Sequence, residues 1–237
     1  MAVYGQPLML EKWWETIRAY DDEVLDCLHL VIVDDHGDPP VAIPHDIQAM
    51  LRCQLFRVTK QIEWNQMGAR NLGVQEAKTS WVLMMDPDMV VEPKIVKRFL
   101  AWIPKLCQGN LIKPLLRYTN DVPDNSSPNV YLLHRADFMR AGGYDEDYAG
   151  HKGWSDVQFL HTLQGVKIKF LRPEGLWVRY YRPQDIKDAT VNTLKRSVAH
   201  NRGIHIKKMG WARKMGWAKW AAANKQKLIR FPWERVI

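Results

Sequence analysis

Trp81-Val82-Leu83-Met84-Met85-Asp86-Pro87-Asp88 is the stretch whose reading decides the fold. Five apolar residues run without a break and stop at two carboxylates two positions apart. A short apolar run of this kind reads as a strand buried on both faces, as in a parallel sheet. The acids then sit at its carboxyl end, where open α/β sheets bind ligands. Pro87 stiffens the turn between them, because its φ is fixed. Two carboxylates aimed at one point repel each other unless a cation lies between them. Hard divalent ions, Mg²⁺ or Mn²⁺, accept such oxygen ligands and bridge them to phosphates. A solvated turn after a strand is the plainer alternative.

Working outward, Trp64-Asn65-Gln66-Met67-Gly68-Ala69-Arg70-Asn71-Leu72-Gly73-Val74-Gln75-Glu76-Ala77-Lys78 precedes the strand, and Asn65 is placed to cap a helix there. Gly142-Gly143-Tyr144-Asp145-Glu146-Asp147 follows it. Taken in this order, the three segments resemble the Ala-Arg-Asn-x-Gly helix, the Asp-x-Asp motif and the acceptor-side Gly-Gly-Tyr-Asp-Glu segment of family 2 glycosyltransferases. The resemblance covers roughly residues 1–165. It implies the GT-A fold: α/β, a Rossmann-like mixed and mostly parallel sheet flanked by helices. It also implies an inverting enzyme that uses a nucleotide-diphosphate sugar, by family frequency a UDP-sugar, with Mn²⁺ or Mg²⁺ held by Asp86 and Asp88.

The same resemblance assigns further roles. Leu28–Val33 is a second buried strand ending at Asp34-Asp35. The acid there contacts the nucleoside in the family, which points to Asp34 or Asp35, with Asp35 preferred; an Asp capping its own turn is the alternative. Arg70 and Asn71 fall beside the nucleotide, with Arg70 toward the diphosphate. Ser155-Asp156-Val157-Gln158 reads as a capping box opening a helix. Family members carry an acidic pair here whose Asp is the catalytic base. Ser155 replaces the first acid, which leaves Asp156 for the role. Several members complete the metal site with a late histidine, so His200 or His205 is a candidate, His200 preferred. Met1–Tyr4 is short for the family's first strand, and Tyr4-Gly5-Gln6-Pro7 stands where its turn would be.

Other elements follow from pattern alone. Leu8–Tyr20 reads as a helix with Leu8, Leu10, Trp14 and Ile17 inward, and Glu92–Trp102 as another with Ile95, Val96, Phe99 and Leu100 inward. Asn120–Asn129 is a linker or loop. Tyr144–Trp154, rich in glycine, reads as a mobile loop. Val166–Phe170 alternates like a half-exposed strand.

The bulk numbers bound the rest. A chain of 237 residues holds one sizeable core and an appendage. No apolar run approaches the ~18 residues of a membrane span, and no signal peptide is visible. Three scattered cysteines suggest a reducing compartment without disulfides or zinc, hence a cytoplasmic setting. The net charge of +8 implies an anionic partner. Residues 1–182 read as the catalytic domain and 183–237 as a basic, Trp-rich helical extension packed on it. In that extension Lys208-Met209-Gly210-Trp211-Ala212-Arg213 is nearly repeated by Lys214–Lys219. Interleaved tryptophan and charge suit a helix packed on the core, peripheral contact with a membrane, or nucleic acid. The acceptor is expected to be a saccharide or lipid-linked glycan. Hydroxymethylated bases in DNA are the alternative, and a non-enzymatic nucleic-acid binder on the same scaffold is the competing class. A nucleotidyltransferase would need a Gly-rich basic loop that residues 1–20 lack.

Overall fold

A computed structural model describes residues 1–5, 7–118, 123–124, 129–182 and 198–237. The first layer is a sheet of β1 (Ala2–Val3), β2 (His29–Asp34) and β3 (Arg52–Val58), all parallel. The second sheet holds β4 (Trp81–Met84), β6 (Asn110–Ile112), β9 (Tyr131–His134) and β10 (Lys169–Leu171) in the order β10-β6-β9-β4. The third is a small ribbon of β5 (Met89–Val90), β7 (Leu115–Tyr118), β8 (Pro123–Asp124) and β11 (Trp177–Tyr180). Helices α1 (Pro7–Arg18), α2 (Asp22–Cys27), α3 (His45–Met50), α4 (Gln66–Glu76) and α5 (Pro93–Trp102) alternate with these strands. Then come α6 (Arg135–Arg140), α7 (Ser155–Gly165), α8 (Val198–Met215) and α9 (Trp217–Lys225), and last β12 (Trp233–Arg235). The result is the expected mixed α/β architecture with helices on its faces.

The amphipathic helices follow their periodicity. On α1, Leu10, Trp14 and Ile17 are buried, but Leu8 is exposed because the inward position at that turn is taken by Met9. On α5, Ile95, Val96 and Phe99 point inward. Strand β4 departs from its reading. It pairs antiparallel with β9, and Trp81, Val82 and Leu83 are only partly buried. On the side away from β9 its residues line a cavity. The alternation at 166–170 also misleads: Lys167 turns with φ +65°, and the strand begins only at Lys169. α2, α3, β6 and β7 carried too little periodicity to be seen in sequence.

The 144–154 segment is packed rather than loose. Tyr144 and Tyr148 are fully buried, and the Asn201 amide on α8 reaches the carbonyls of Tyr148, His151 and Gly153. The two glycines before it are required by geometry. Gly142 has φ +79°, and a Cβ there would lie 2.2 Å from the Ala221 carbonyl oxygen on α9.

The C-terminal residues return to the layers formed by residues 1–182. Gly216, at φ +86°, breaks the helix between α8 and α9. Lys208 is buried and donates to Asp145 and Asp147. Arg230 pairs with Asp147 at 2.7 Å. Phe231 packs where a Cβ on Gly68 would collide with it, so Gly68 serves this contact while Gly73 faces Val33 on β2. β12 then adds antiparallel to the free edge of β3. Period-six repetition gave no hint of this strand. The expected 182/183 boundary and most of the Asn120–Asn129 linker fall outside the described residues.

Replacing Gly142 by Ala combines a left-handed backbone with a backbone clash, which together cost about 2–4 kcal/mol. Urea denaturation of the Gly142→Ala variant is expected to show that loss with an unchanged slope.

Candidate active site

Local structure sets each carboxylate in place. β4 delivers Asp86 and Asp88 at its carboxyl end, and the turn is fixed from both sides. Trp13 on α1 donates its indole N–H to the Pro87 carbonyl at 3.1 Å, and Tyr181 donates its backbone N–H to the Asp88 carbonyl at 2.8 Å. Asp156 lies in the first turn of α7, where an acid is favoured by the unpaired N–H groups. The capping box does not form. The helix begins at Ser155 itself, with Trp154 at the N-cap position in a left-handed conformation (φ +68°). Gln158 instead accepts from the Tyr148 hydroxyl and donates to Thr162 on its own helix.

Arg70 joins these two carboxylates. Its guanidinium is buried, donates one arm to Asp86 and another to Asp156, and bonds the Tyr144 hydroxyl at 3.1 Å. The Tyr144 ring lies 5.2 Å beneath it and is itself stacked on Phe159 at 4.4 Å. Burial opposes the charge on Arg70, but Asp86, Tyr144 and Asp156 hold it well above its ordinary pKa. Residues 86 and 156, far apart in sequence, therefore face one site. Arg70 is expected from the resemblance beside the diphosphate; in this structure its donors are spent on carboxylates.

Asp86 is further held by Gln66 at 2.9 Å and Asn129 at 2.8 Å. Gln66 precedes Arg70 by four residues, so a shared helix face was readable in sequence. Asn129 carried no such signal. Asp88 is different. Its Oδ1 is buried without a hydrogen-bond partner, and burial next to Asp86 pushes its pKa up to about 7. Asp156 is also pushed up, by burial first, against the opposing pull of Arg70.

Asp34 and Asp35 part company at the end of β2. Asp34 is fully buried and satisfied, accepting from the backbone N–H groups of Gly37 and Val41 and from Arg57. That is the self-capping role for the strand-ending turn. Asp35 accepts from Asn65 at 3.1 Å, and burial raises its pKa to about 7. Asn65 does occupy the N-cap position of α4, but its side chain serves Asp35 rather than the helix. Because Asn65 and Gln66 are neighbours, the ends of β2 and β4 are tied through the start of one helix. Asn71 turns to the other side of α4. It exchanges hydrogen bonds with the backbone of Tyr144 at 2.8 and 3.0 Å and donates to Glu146.

His200 lies on α8, stacked on His151 with ring centroids 3.9 Å apart. Among the described residues, no group of three or more His, Cys, Asp or Glu side chains converges as a metal site. The Asp86–Asp88 pair nonetheless fits a hard divalent cation. It offers a buried carboxylate oxygen with no donor, next to a second carboxylate that is paired with Arg70.

Residues 1–148 match the model for glycosyl transferase family 2, which is more than half of the chain. The chain belongs to glycosyl transferase family 2. No curated protein matches it by sequence. Solved structures resemble it in fold. TarS 1–349 from S. aureus matches with a TM-score of 0.57 at 14% identity, over 78% of this chain and 60% of that one. The mannosyltransferase PcManGT from Pyrobaculum calidifontis, in complex with GDP-Man and Mn²⁺, matches with 0.56 at 14% identity, over 94% and 72%. GalNAc-T7 with UDP, GalNAc and Mn²⁺ matches with 0.54 at 14% identity, over 75% and 42%. The chain thus spans about 60% of the TarS fragment and less than half of GalNAc-T7. The shared fold is the GT-A fold of glycosyltransferases. No helix among the described residues is long and apolar enough to cross a membrane.

The raised pKa of Asp88 has a definite sign. A carboxyl whose folded pKa (about 7) exceeds its ordinary value of 3.8 stabilises the fold at low pH. That contribution fades as pH rises from about 4 to about 7. Asp88→Asn removes the titration. In EDTA, the variant is expected to gain on the parent by roughly 1–4 kcal/mol between pH 4 and pH 8, at about 1.4 kcal/mol per pKa unit. Parallel stability curves would show that Asp88 is not strained in this way.

Proposed function

We propose that this family 2 chain transfers a sugar from a nucleotide-diphosphate sugar, UDP-linked by preference, to an acceptor hydroxyl with inversion. The single observation that carries this is Arg70 bridging Asp86 and Asp156, which sets a candidate base beside the acid pair of the Asp-x-Asp turn. Asp35 is the residue we assign to the nucleoside, because its second carboxylate oxygen is not committed to the strand-ending turn as those of Asp34 are. Arg70 and Asn71 act at one remove: Arg70 orients the two carboxylates, and Asn71 fixes the Tyr144 segment against α4. Their expected contact with the nucleotide gives way to that positioning role.

Asp156 takes the proton of the acceptor hydroxyl as its oxygen attacks the anomeric carbon. The bond from that carbon to the diphosphate breaks in the same displacement, and the electron pair leaves with the nucleotide. Burial raises the basicity of Asp156, against the opposing pull of Arg70, which favours proton uptake. Arg70 keeps its carboxylate oriented and stabilises it until the acceptor arrives. Asp86 and Asp88 would hold Mn²⁺ or Mg²⁺, which when bound supplies Lewis-acid neutralisation of the departing diphosphate. The two acids of that turn are not a glycosidase pair, since such pairs flank the scissile bond from about 5 Å apart or more.

The acceptor we favour is a saccharide or lipid-linked glycan. A hydroxymethylated DNA base is the second reading, supported by one feature. α8 presents Ile206 and Trp211, 62% and 55% exposed, among exposed Arg202, Lys207, Arg213 and Lys214. A cationic face with an exposed indole suits phosphates and stacked bases, or an anionic membrane surface.

UDP-, GDP-, TDP- and CMP-sugars, with and without Mn²⁺, distinguish these readings by thermal shift and nucleotide release. One donor is expected to raise the melting temperature only with Mn²⁺, and Asp88→Ala to abolish that rise. Asp156→Asn is expected to lower turnover by about 10²–10⁴-fold while leaving donor binding in place. Silence toward every donor, together with salt-sensitive binding to plain DNA, would replace this reading with that of a binding protein.

A further inference from the structure

Between β2 and β4 lies a cavity of about 330 Å³, lined mostly by apolar side chains, among them Leu28, Leu30, Trp81, Leu83 and Leu132, with Arg70 also on its wall. Its two long walls are strand edges. β4 stands at the end of its sheet and pairs only with β9 among the described residues. Arg135 donates to the Ser80 carbonyl, so by antiparallel alternation Val82 and Met84 turn their backbone groups to β9 while Trp81 and Leu83 turn theirs into the cavity. On the other wall, β2 pairs with β1 only at Val33 and Asp34. The parallel ladder runs back through Val33 N–H to the Met1 carbonyl at 2.9 Å, then from the Met1 amine to the Val31 carbonyl at 2.7 Å. Past that bond the next groups on this edge are the Val31 N–H and both backbone groups of His29, and they meet no strand among the described residues.

Buried backbone groups are satisfied in native proteins, and an apolar small molecule would leave these unpaired. The Met1 amine adds a second observation. It is a terminal amine in a part-buried position, donating to the Val31 carbonyl, and desolvation lowers its pKa to about 5, which disfavours the charged form. A peptide N–H at the same point would need no charge at all. The bare edges and the direction of the ladder both fit an extended chain entering at Met1.

We infer that the cavity is the seat of a β-strand continuous with β1, formed by residues preceding Met1. It lies parallel to β2 and fills the space beside β4, merging the first and second sheets into one. At about 3.3 Å per residue, the wall from His29 to Ile32 takes about four residues. Such a strand is covered on both faces, so its residues are apolar and largely β-branched, without proline or charge. This assignment does not depend on the reaction proposed above.

The test is to express the gene with its natural upstream sequence, weigh the intact protein, and compare it with the 237-residue chain by hydrogen exchange and thermal denaturation. The expected protein is heavier by at least about four residues, the added residues being apolar. The amides of Val31, Trp81 and Leu83 are expected to exchange at least about tenfold more slowly in the longer chain, and its melting temperature to rise. A shorter chain that folds only when extended supports the same conclusion. A natural protein that starts at Met1, an upstream run that is charged or interrupted by a stop codon, or unchanged exchange at those amides would overturn it. So would a fatty acid that fills the cavity and protects the same amides in the 237-residue chain as well as the extension does.

Discussion

One buried guanidinium holds the site together. Arg70 sits among Asp86, Asp156 and Tyr144 with almost no access to water. Removing one partner from such a cluster strands an unpaired charge and costs about 3–5 kcal/mol. The cluster nevertheless holds one cation against three carboxylates, counting Asp88. Burial, and then the neighbouring charge of Asp86, raises the pKa of Asp88, whose Oδ1 has no donor. Arg70 thus offsets part of the negative charge gathered at this turn, and the Asp88 carboxylate stays outside its reach.

The second constraint is the acidic segment Asp145-Glu146-Asp147. Each acid has a fixed task in holding the C-terminal region. Lys208 reaches Asp145 and Asp147, and Glu146 accepts from the backbone N–H groups of Ile229 and Arg230 at 2.6 and 3.1 Å. Burial pushes Asp147 upward, but Lys208 and Arg230 overcome this and hold it at about 2. Since Asn71 ties Tyr144 and Glu146 to α4, the helix that carries Arg70 is braced by residues from the far end of the chain. The 144–147 segment and the C-terminal clamp are one mechanical unit.

The face of α8 turned away from this clamp carries much of the chain's excess positive charge. Lys208 on the inner face is consumed by carboxylates, whereas Lys207, Arg213 and Lys214 remain in solvent beside Trp211. The near-repeat in the sequence therefore splits by face rather than by period. Trp220 is buried and Trp211 exposed because Gly216 resets the helix direction between them.

Sequence alone determined the order of strands and helices around the site, since β4, α4 and the acid pair are defined by local runs and spacing. It also determined the family, through three short motifs in order. It could not decide which polar residues face each other. Gln66 was within reach through its helical spacing to Arg70, but Asn129, Tyr144 and Lys208 enter through contacts between distant segments that leave no periodic trace. The roles of Asp34 and Asp35, indistinguishable as adjacent acids after one strand, were separated only by where the 36–41 loop and Asn65 fall. The apolar run of β4 likewise read as two-sided burial, and only the tertiary structure showed that its first three residues are partly buried and line a cavity. Local chemistry fixes what each segment tends to form, whereas burial and pairing depend on which segments meet.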